Sequence, residues 1–247
     1  MTAPEVLVHP GPDELATAVA TRWVRRLREI QDEGRVPAVS LTGGSIAARI
    51  HAAVLDVPGH RDVDWSRVDV WFGDERYLPG DDGDRNAVQA DQAMLRHLPF
   101  TPERVHPMPA SDDGFADLGA AAAAYGEELR AHGDGELDVM MLGVGPDGHV
   151  ASLFPGHPAL AVDDQVAVGV TDSPKPPPER ISLTFAALNR SREVWFVVAG
   201  DDKARAVADA LGGAEPHRVP AAGVTGRTRT LWLLDEGAAG LREQPRG

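Results

Sequence analysis

The residues best suited to chemistry lie in segment 142–158, which reads LGVGPDGHVASLFPGHP and places Asp147 two residues before His149. An imidazole titrates near neutral pH, and a nearby carboxylate can fix its tautomer and favour its protonated form. The apolar run before this glycine-rich loop predicts a buried strand, and the segment after it could begin a helix. Together these features predict a pocket at the end of a parallel sheet, with His149 as a general base and Asp147 beside it.

Other kinds of hydrolytic site fit the sequence less well. His157, eight residues after His149, completes no His-Glu-x-x-His zinc pattern, so hydrolysis without a metal or other cofactor is favoured. A Gly-x-Ser-x-Gly elbow does not occur, which disfavours a serine acyl-enzyme. The chain has no cysteine, which excludes thiolate catalysis, cysteine-ligated zinc and disulfides.

A glycine pair forms a second candidate site, in the turn Thr42, Gly43, Gly44, Ser45 between a predicted strand and a predicted helix. Two glycines let backbone N–H groups approach a ligand closely, and the helix start favours negative charge. The hydroxyls of Thr42 and Ser45 add donors, so phosphate is the expected ligand. A glycine pair in such a turn is equally often structural, and neither Walker nor Rossmann spacing is present.

The motif GDERY at 73–77 follows another predicted strand. We expect Arg76 to point inward as an anion clamp or a transition-state cation, with Asp74 shaping the pocket. A surface ion pair is the alternative. The acidic stretch GDDGDRN that follows lacks calcium-loop spacing, so we expect a solvated loop that brings Asn86 into the site.

Three cations complete the set of candidate residues. Lys175 and Arg180 flank a run of prolines, and Lys203 lies just beyond a predicted strand. Prolines stiffen a loop and would hold its cations in place at low entropic cost. Solvated surface bases are the alternative, most of all for Lys175.

These segments are positioned by strands that alternate with helices. Asp13 is the expected N-cap of a first helix that ends near Gly34 and buries an apolar stripe at Leu15, Val19, Trp23 and Leu27. Further helices are predicted over 46–55, 86–97 and 118–132, and strands over 37–41, 68–72, 137–142, 166–170, 181–183, 194–199 and 230–234. This alternation predicts an α/β fold with a mainly parallel sheet covered by helices on both faces. We expect a single domain over residues 1–247, with fraying at 242–247.

The composition is that of a globular protein, with 43% hydrophobic and 25% charged residues. Lys and Arg number 24 against 38 Asp and Glu, which gives a net charge of −14. So acidic a surface repels nucleic acid and anionic lipid, but a small anionic substrate can still bind where cations converge. Neither a secretory signal nor an apolar run of about 20 residues is found, so we expect a cytoplasmic protein without membrane or nucleic-acid partners.

Taken together and in order, these blocks resemble the 6-phosphogluconolactonase family nearly from end to end. The matching segments are SLTGGS, VWFGDERYLPGDDGDRNA, LGVGPDGHVASLFPGHP, SPKPPPERISLT and AGDDKA. The resemblance implies a modified Rossmann-like sheet, similar to that of glucosamine-6-phosphate deaminases and ribose-5-phosphate isomerases. It also implies hydrolysis of 6-phospho-D-glucono-1,5-lactone to 6-phosphogluconate, in the oxidative pentose phosphate pathway.

The resemblance also implies roles for particular residues. His149 would be the base with Asp147 beside it, and Arg76 would lie near the reacting lactone or the phosphate. The implied phosphate-binding residues are those of the glycine turn and the later cations, namely Gly43, Gly44, Ser45, Arg180 and Lys203.

Two departures from the family pattern are visible. The glycine turn continues Ser45-Ile46-Ala47 where the family commonly has Ser-Thr-Pro, which removes a proline helix start and a hydroxyl. Ser182 stands where the family commonly has threonine, which is a mild change.

The mechanistic hypothesis is direct attack of water on the lactone carbonyl, with the proton taken by His149 and the oxyanion stabilised by donors that include Arg76. One rival is a sugar-phosphate deaminase or isomerase of the same fold. Another is a non-catalytic sugar-phosphate sensor, which predicts an attached DNA-binding module, although no basic helix–turn–helix is found. The sequence is compatible with a monomer or a small homo-oligomer.

Overall fold

The computed structural model describes residues 3–241, which form nine strands and seven α-helices. The strands are β1 Glu5–His9, β2 Ala38–Leu41, β3 Asp69–Phe72, β4 Asp74–Arg76, β5 Val139–Leu142, β6 Ala167–Val170, β7 Arg180–Leu183, β8 Glu193–Val198 and β9 Arg229–Asp235. The helices are α1 Pro12–Asp32, α2 Ser45–Val54, α3 Asn86–Ala93, α4 Leu118–Ala131, α5 Phe185–Leu188, α6 Ala204–Leu211 and α7 Glu236–Ala239.

Six strands form one parallel sheet in the order β1-β9-β8-β5-β2-β3, and a small antiparallel sheet has the order β4-β7-β6. Strands β2, β3, β5 and β8 are buried at every residue, as expected for parallel strands that are covered on both faces. The predicted α/β fold with a mainly parallel sheet is therefore confirmed. The single domain over 1–247 stays a prediction.

Helix α1 buries the predicted stripe of Leu15, Val19, Trp23 and Leu27. Its expected N-cap, Asp13, is wrong: Gly11 occupies the cap and Pro12 the first helical position, where the fixed φ of proline suits a helix start. Asp13 lies in the first turn and pairs with Arg49 of α2. Gly34 follows the helix with φ of 81°, in agreement with the expected stop.

Other differences concern segments whose structure depends on distant partners. The segment after the glycine-rich loop does not begin an α-helix; it turns back through bridges from Val150 to Val144 and Leu153 and reaches a short 3-10 helix at Pro158–Ala161. The helix predicted over 86–97 ends at Ala93. Strands β1 and β4 and helices α5, α6 and α7 were not predicted. The expected fraying at 242–247 lies outside the described residues.

The chain reverses its direction across the main sheet between β2 and β5. From β2 it proceeds to β3 on one side, whereas from β5 it proceeds to β8 and β9 on the other. In open α/β sheets such a switch point leaves a crevice at the carboxyl ends of the strands, where ligands bind. Here the Gly143 N–H, just after β5, donates to Thr42 Oγ1, just after β2, at 3.3 Å. No helix within residues 3–241 combines the length and the apolar character that a membrane crossing requires.

Candidate active site

A cavity of about 450 Å³ opens at the carboxyl ends of β2, β5 and β8. Every predicted site residue except Asp147 lines it, and Asp147 contacts the cavity through His149. The sheet topology thus brings together five segments that are widely separated in the sequence.

The glycine turn after β2 needs both of its glycines, for different reasons. Gly44 has φ of 98°, a backbone conformation that side chains disfavour, and it occupies the N-cap of α2 without a side-chain cap. The Asn86 side chain packs directly against Gly43 and leaves no space for a side chain there, since a Cβ atom would lie 1.9 Å from Asn86 Oδ1. Ser45 is the first residue of α2, so backbone N–H groups without a helical partner face the cavity beside its hydroxyl.

The loop after β5 holds His149 against Asp147. His149 Nδ1 lies 2.5 Å from Asp147 Oδ1. A tight turn sets this geometry, since the Gly145 N–H donates to the His149 carbonyl at 3.0 Å and the Gly148 N–H donates to the Gly145 carbonyl at 2.9 Å. The ring also packs against Phe154, with centroids 4.7 Å apart.

The protonation state of Asp147 determines which ring nitrogen of His149 is free. Partial burial raises the pKa of Asp147, but the hydrogen bond to His149 and the charges of His149 and Lys175 lower that pKa to about 2. An ionised carboxylate only accepts hydrogen bonds, so Nδ1 must carry the hydrogen that it donates to Asp147. In the neutral ring, Nε2 is then an acceptor, and it hydrogen-bonds to none of the residues 3–241.

Arg76 and Asp74 lie on the same side of β4 and both line the cavity. The Arg76 Nη1 donates to Asn86 Oδ1 at 2.7 Å and to the Asp84 carbonyl at 2.9 Å. Both acceptors are neutral, so these contacts leave the charge of the guanidinium available to an anion. Asn86 is the first residue of α3, directly after the mostly exposed acidic loop, and its Nδ2 donates to the Asp74 carbonyl at 2.8 Å.

Arg180 is buried, with 6% of its surface exposed, and it supports the proline loop. Its guanidinium donates to the carbonyls of Lys175 and Pro176, each at 3.1 Å, and of Pro177 at 3.3 Å. These bonds use Nε and Nη2, while the side chain also lines the cavity. Arg180 therefore fixes the loop that carries Lys175.

The two lysines of the cavity, Lys175 and Lys203, are the only lysines among the 247 residues of the chain. Lys203 Nζ donates to both carboxylate oxygens of Asp202, at 2.7 and 2.8 Å. Lys175 Nζ lies 4.0 Å from Asp147 Oδ1, and 45% of its side chain is exposed. The cations of the site thus converge on one cavity, as the acidic composition requires for an anionic ligand.

Sequence reasoning missed several residues that support the site. Ser152 is fully buried and donates from Oγ to Asp74 Oδ2 at 2.6 Å. Ser182 Oγ accepts from the Ser152 N–H at 3.2 Å. A threonine, which the family commonly has at this position, would offer the same hydroxyl. Glu75, also fully buried, bonds to the start of α3. All three lie inside the segments that carry the resemblance, but nothing local to the sequence marks their partners.

Among the residues that the structure describes, His, Asp and Glu side chains nowhere form a group of three that could hold a metal ion. Hydrolysis without a metal stays a prediction.

The sequence model of a family described as glucosamine-6-phosphate isomerases/6-phosphogluconolactonase matches residues 10–232. The 6-phosphogluconolactonase of Streptomyces coelicolor is 48% identical over 244 residues, which cover 96% of this chain and 94% of that relative. The 6-phosphogluconolactonase of Mycobacterium tuberculosis is 46% identical over 239 residues, which cover 94% of this chain and 96% of the relative. The solved structure of the 6-phosphogluconolactonase from Trypanosoma brucei superposes with a TM-score of 0.82 at 27% identity, over 96% of this chain and 98% of that one.

Proposed function

Because the chain belongs to the glucosamine-6-phosphate isomerase/6-phosphogluconolactonase family, we propose that it is an enzyme that hydrolyses 6-phospho-D-glucono-1,5-lactone to 6-phospho-D-gluconate. This is a step of the oxidative pentose phosphate pathway. The observation that carries the proposal is the 48% identity to the 6-phosphogluconolactonase of Streptomyces coelicolor over almost the whole of both chains. The sugar-phosphate cavity expected of such an enzyme has its counterpart in the crevice between β2 and β5.

His149 is the general base in this proposal. Asp147 holds the Nδ1 hydrogen, so Nε2 can take a proton from water as the water oxygen attacks the lactone carbonyl carbon. The protonated ring then returns that proton to the ring oxygen of the lactone as the ester bond breaks. General-base assistance of this kind contributes about 10²–10⁴-fold to the rate.

Arg76 stabilises the oxyanion that forms when the carbonyl is attacked. Its guanidinium lines the same cavity as His149. Asn86 holds it through a neutral amide oxygen, so the positive charge of Arg76 stays available to the substrate. Donors that are already oriented before the reaction stabilise developing charge without reorganisation. Asp74, held by Ser152, shapes the adjacent wall.

The phosphate of the substrate binds at the start of α2. There the N–H groups and hydroxyls of the turn Thr42 to Ser45 meet the positive end of the helix. Lys203 and Arg180 add charge, and Lys175 covers the cavity beside the reacting group. Anchoring the phosphate orients the lactone toward His149, which lowers the entropic part of the barrier.

The decisive experiment is a coupled assay on freshly generated 6-phosphogluconolactone, corrected for spontaneous opening of the ring. We expect saturable hydrolysis that persists after exhaustive chelation, since the base and the cations all come from the chain. Glucosamine 6-phosphate and ribose 5-phosphate serve as parallel substrates for the deaminase and isomerase alternatives. Turnover of either of them with no acceleration of lactone opening would refute the proposal.

A further inference from the structure

Glu75 is a fully buried carboxylate that lies between two residues of the cavity wall. Asp74 and Arg76, its neighbours in β4, are half-buried and line the cavity, whereas Glu75 has no exposed surface. Because side chains alternate along a strand, the Glu75 carboxylate extends to the other side of β4, away from the substrate. A buried carboxylate in this place requires partners.

Those partners are backbone groups at the start of α3. Glu75 Oε1 accepts from the Asn86 N–H at 2.6 Å, and Oε2 accepts from the Ala87 N–H at 2.9 Å. Oε1 also accepts from the Arg76 N–H at 2.9 Å. The carboxylate therefore ties the first turn of a helix to a strand that lies eleven residues earlier in the sequence.

Helix α3 depends on this distant acceptor because its own N-cap supplies none. The first N–H groups of a helix have no partner within it and are usually capped by a neighbouring side chain. Here the N-cap residue is Arg85, which accepts no such bond. Its Nε instead lies 3.7 Å from Glu75 Oε2, so that two buried side chains of opposite charge face each other.

The position of α3 in turn determines how Arg76 is held. Asn86, whose N–H binds Glu75, holds Arg76 Nη1 with its Oδ1 and the Asp74 carbonyl with its Nδ2. The same amide rests on Gly43, at a distance that leaves no room for a Cβ atom. A shift of the first turn of α3 would therefore move the Asn86 side chain away from both the guanidinium and the glycine turn.

We propose that Glu75 is a positioning residue, which fixes the first turn of α3 so that Asn86 holds the Arg76 guanidinium in the cavity. Glu75 does not touch the substrate, and it acts through Asn86. The inference deepens the lactonase activity proposed above and rests on it for its kinetic test.

The first variant is Glu75→Gln, which has nearly the same shape but presents an NH₂ group to one of the N–H donors. We expect kcat/KM to fall by about 10–100-fold, because small displacements of a positioning group cost this much. Glu193→Gln is the matched control: Glu193 is also a buried glutamate with an arginine partner, Arg26, but it lies at the opposite end of the main sheet. That control should lose stability and retain kcat/KM.

A double-mutant cycle separates positioning from plain stabilisation. In an Asn86→Ala background the link to Arg76 is already broken, so adding Glu75→Gln should change kcat/KM by less than about twofold while still lowering Tm. The proposal would be overturned if the fold loss of kcat/KM in the double variant equalled the product of the losses in the two single variants. So would a Glu75→Gln enzyme that has lost stability but retains the wild-type kcat/KM.

Two further measurements keep the test decisive. If Glu75→Gln does not fold, Glu75→Asp keeps the charge beside Arg85 but withdraws the carboxylate from the helix by one methylene, and it should show the same kinetic loss. The side-chain Nε–H resonance of Arg76 reports its placement without any turnover, and it should move toward the position of exposed arginines in the Glu75 variants. If the wild type does not hydrolyse the lactone, the proposed activity is wrong. If the Arg76 resonance is unchanged in the Glu75 variants, the positioning role of Glu75 is wrong.

Discussion

The imidazole of His149 occupies the space that a side chain on Gly145 would need. A Cβ atom at Gly145 would lie 2.0 Å from His149 Cε1 and 2.6 Å from Asp147 Oδ1. The pair of Asp147 and His149 is therefore folded back onto the backbone of its own loop, which fixes the ring more tightly than a two-residue spacing alone would. A base whose ring is fixed in this way loses little entropy when it meets the attacking water.

Removing the imidazole should abolish most of the turnover. We expect His149→Ala to lower kcat by about 10²–10⁴-fold, the usual contribution of a general base, with little change in binding of 6-phosphogluconate. Steady-state kinetics and calorimetric titration of the product measure the two quantities. His217→Ala, at an exposed histidine, is the control. A His149→Ala enzyme within a few-fold of wild type would show that another group is the base.

A methyl group on Gly145 should displace the ring without removing it. Gly145→Ala is expected to lower kcat by about 10-fold or more, because misplacing a catalytic group by a fraction of an ångström has large effects. Gly83→Ala is the matched substitution, since a Cβ atom there meets nothing within 4 Å. The crystal structure of Gly145→Ala should show a longer distance between His149 Nδ1 and Asp147 Oδ1. Wild-type kcat with an unmoved ring would contradict the steric argument.

The contribution of Asp147 to stability should depend on pH. Its pKa in the folded protein is about 2, below its ordinary value of 3.8, so the ionised form stabilises the fold above about pH 4, and that contribution disappears as the pH falls toward 2. The difference in unfolding free energy between the wild type and Asp147→Asn should therefore shrink from pH 5 to pH 3. Urea denaturation at each pH measures it.

Asp163→Asn is the control for this titration, because Asp163 is exposed on the segment before β6. A difference between wild type and Asp147→Asn that stays constant over this pH range, or grows as the pH falls, would show that the carboxylate is not held ionised by its partners.

The sequence predicted those parts of the fold whose causes are local. Strands β2, β3 and β5 are short apolar runs, and their carboxyl ends carry the glycine turn, the Asp-Glu-Arg motif and the histidine loop. Because parallel strands end at one edge of a sheet, predicting the strands was almost equivalent to predicting the cavity.

What could not be predicted depends on partners that are distant in the sequence. Strand β4 consists of three charged residues and exists because Asp74 pairs with Ser182 of β7. Likewise, the segment after His149 has helix-forming residues but is held in turns by bridges to Val150. The cap that Glu75 provides for α3 has no sequence signature at all. The cytoplasmic location, the oligomeric state, the lack of nucleic-acid binding and the role of each site residue remain predictions.

Amine chemistry offers a selective test of the cavity, because the chain has two lysines and 22 arginines, and Lys175 and Lys203 both line it. An amine-specific acetylating reagent can react only with these side chains and the chain's terminal amine. Acetylation removes the charge that would bind the phosphate, so we expect activity to fall in step with modification and 6-phosphogluconate to protect against it.

Mass spectrometry of peptides then assigns the loss to one lysine. Lys203→Arg keeps a cation but resists acetylation. We expect this variant to start with a raised KM and to lose less activity on treatment than the wild type. The reason is that, in the proposed mode of substrate binding, Lys203 rather than Lys175 lies near the phosphate at the start of α2. Lys175→Arg gives the reciprocal arm. Full activity after quantitative acetylation of both lysines would mean that the phosphate binds elsewhere. The proposed orientation of the lactone toward His149 would then also be wrong.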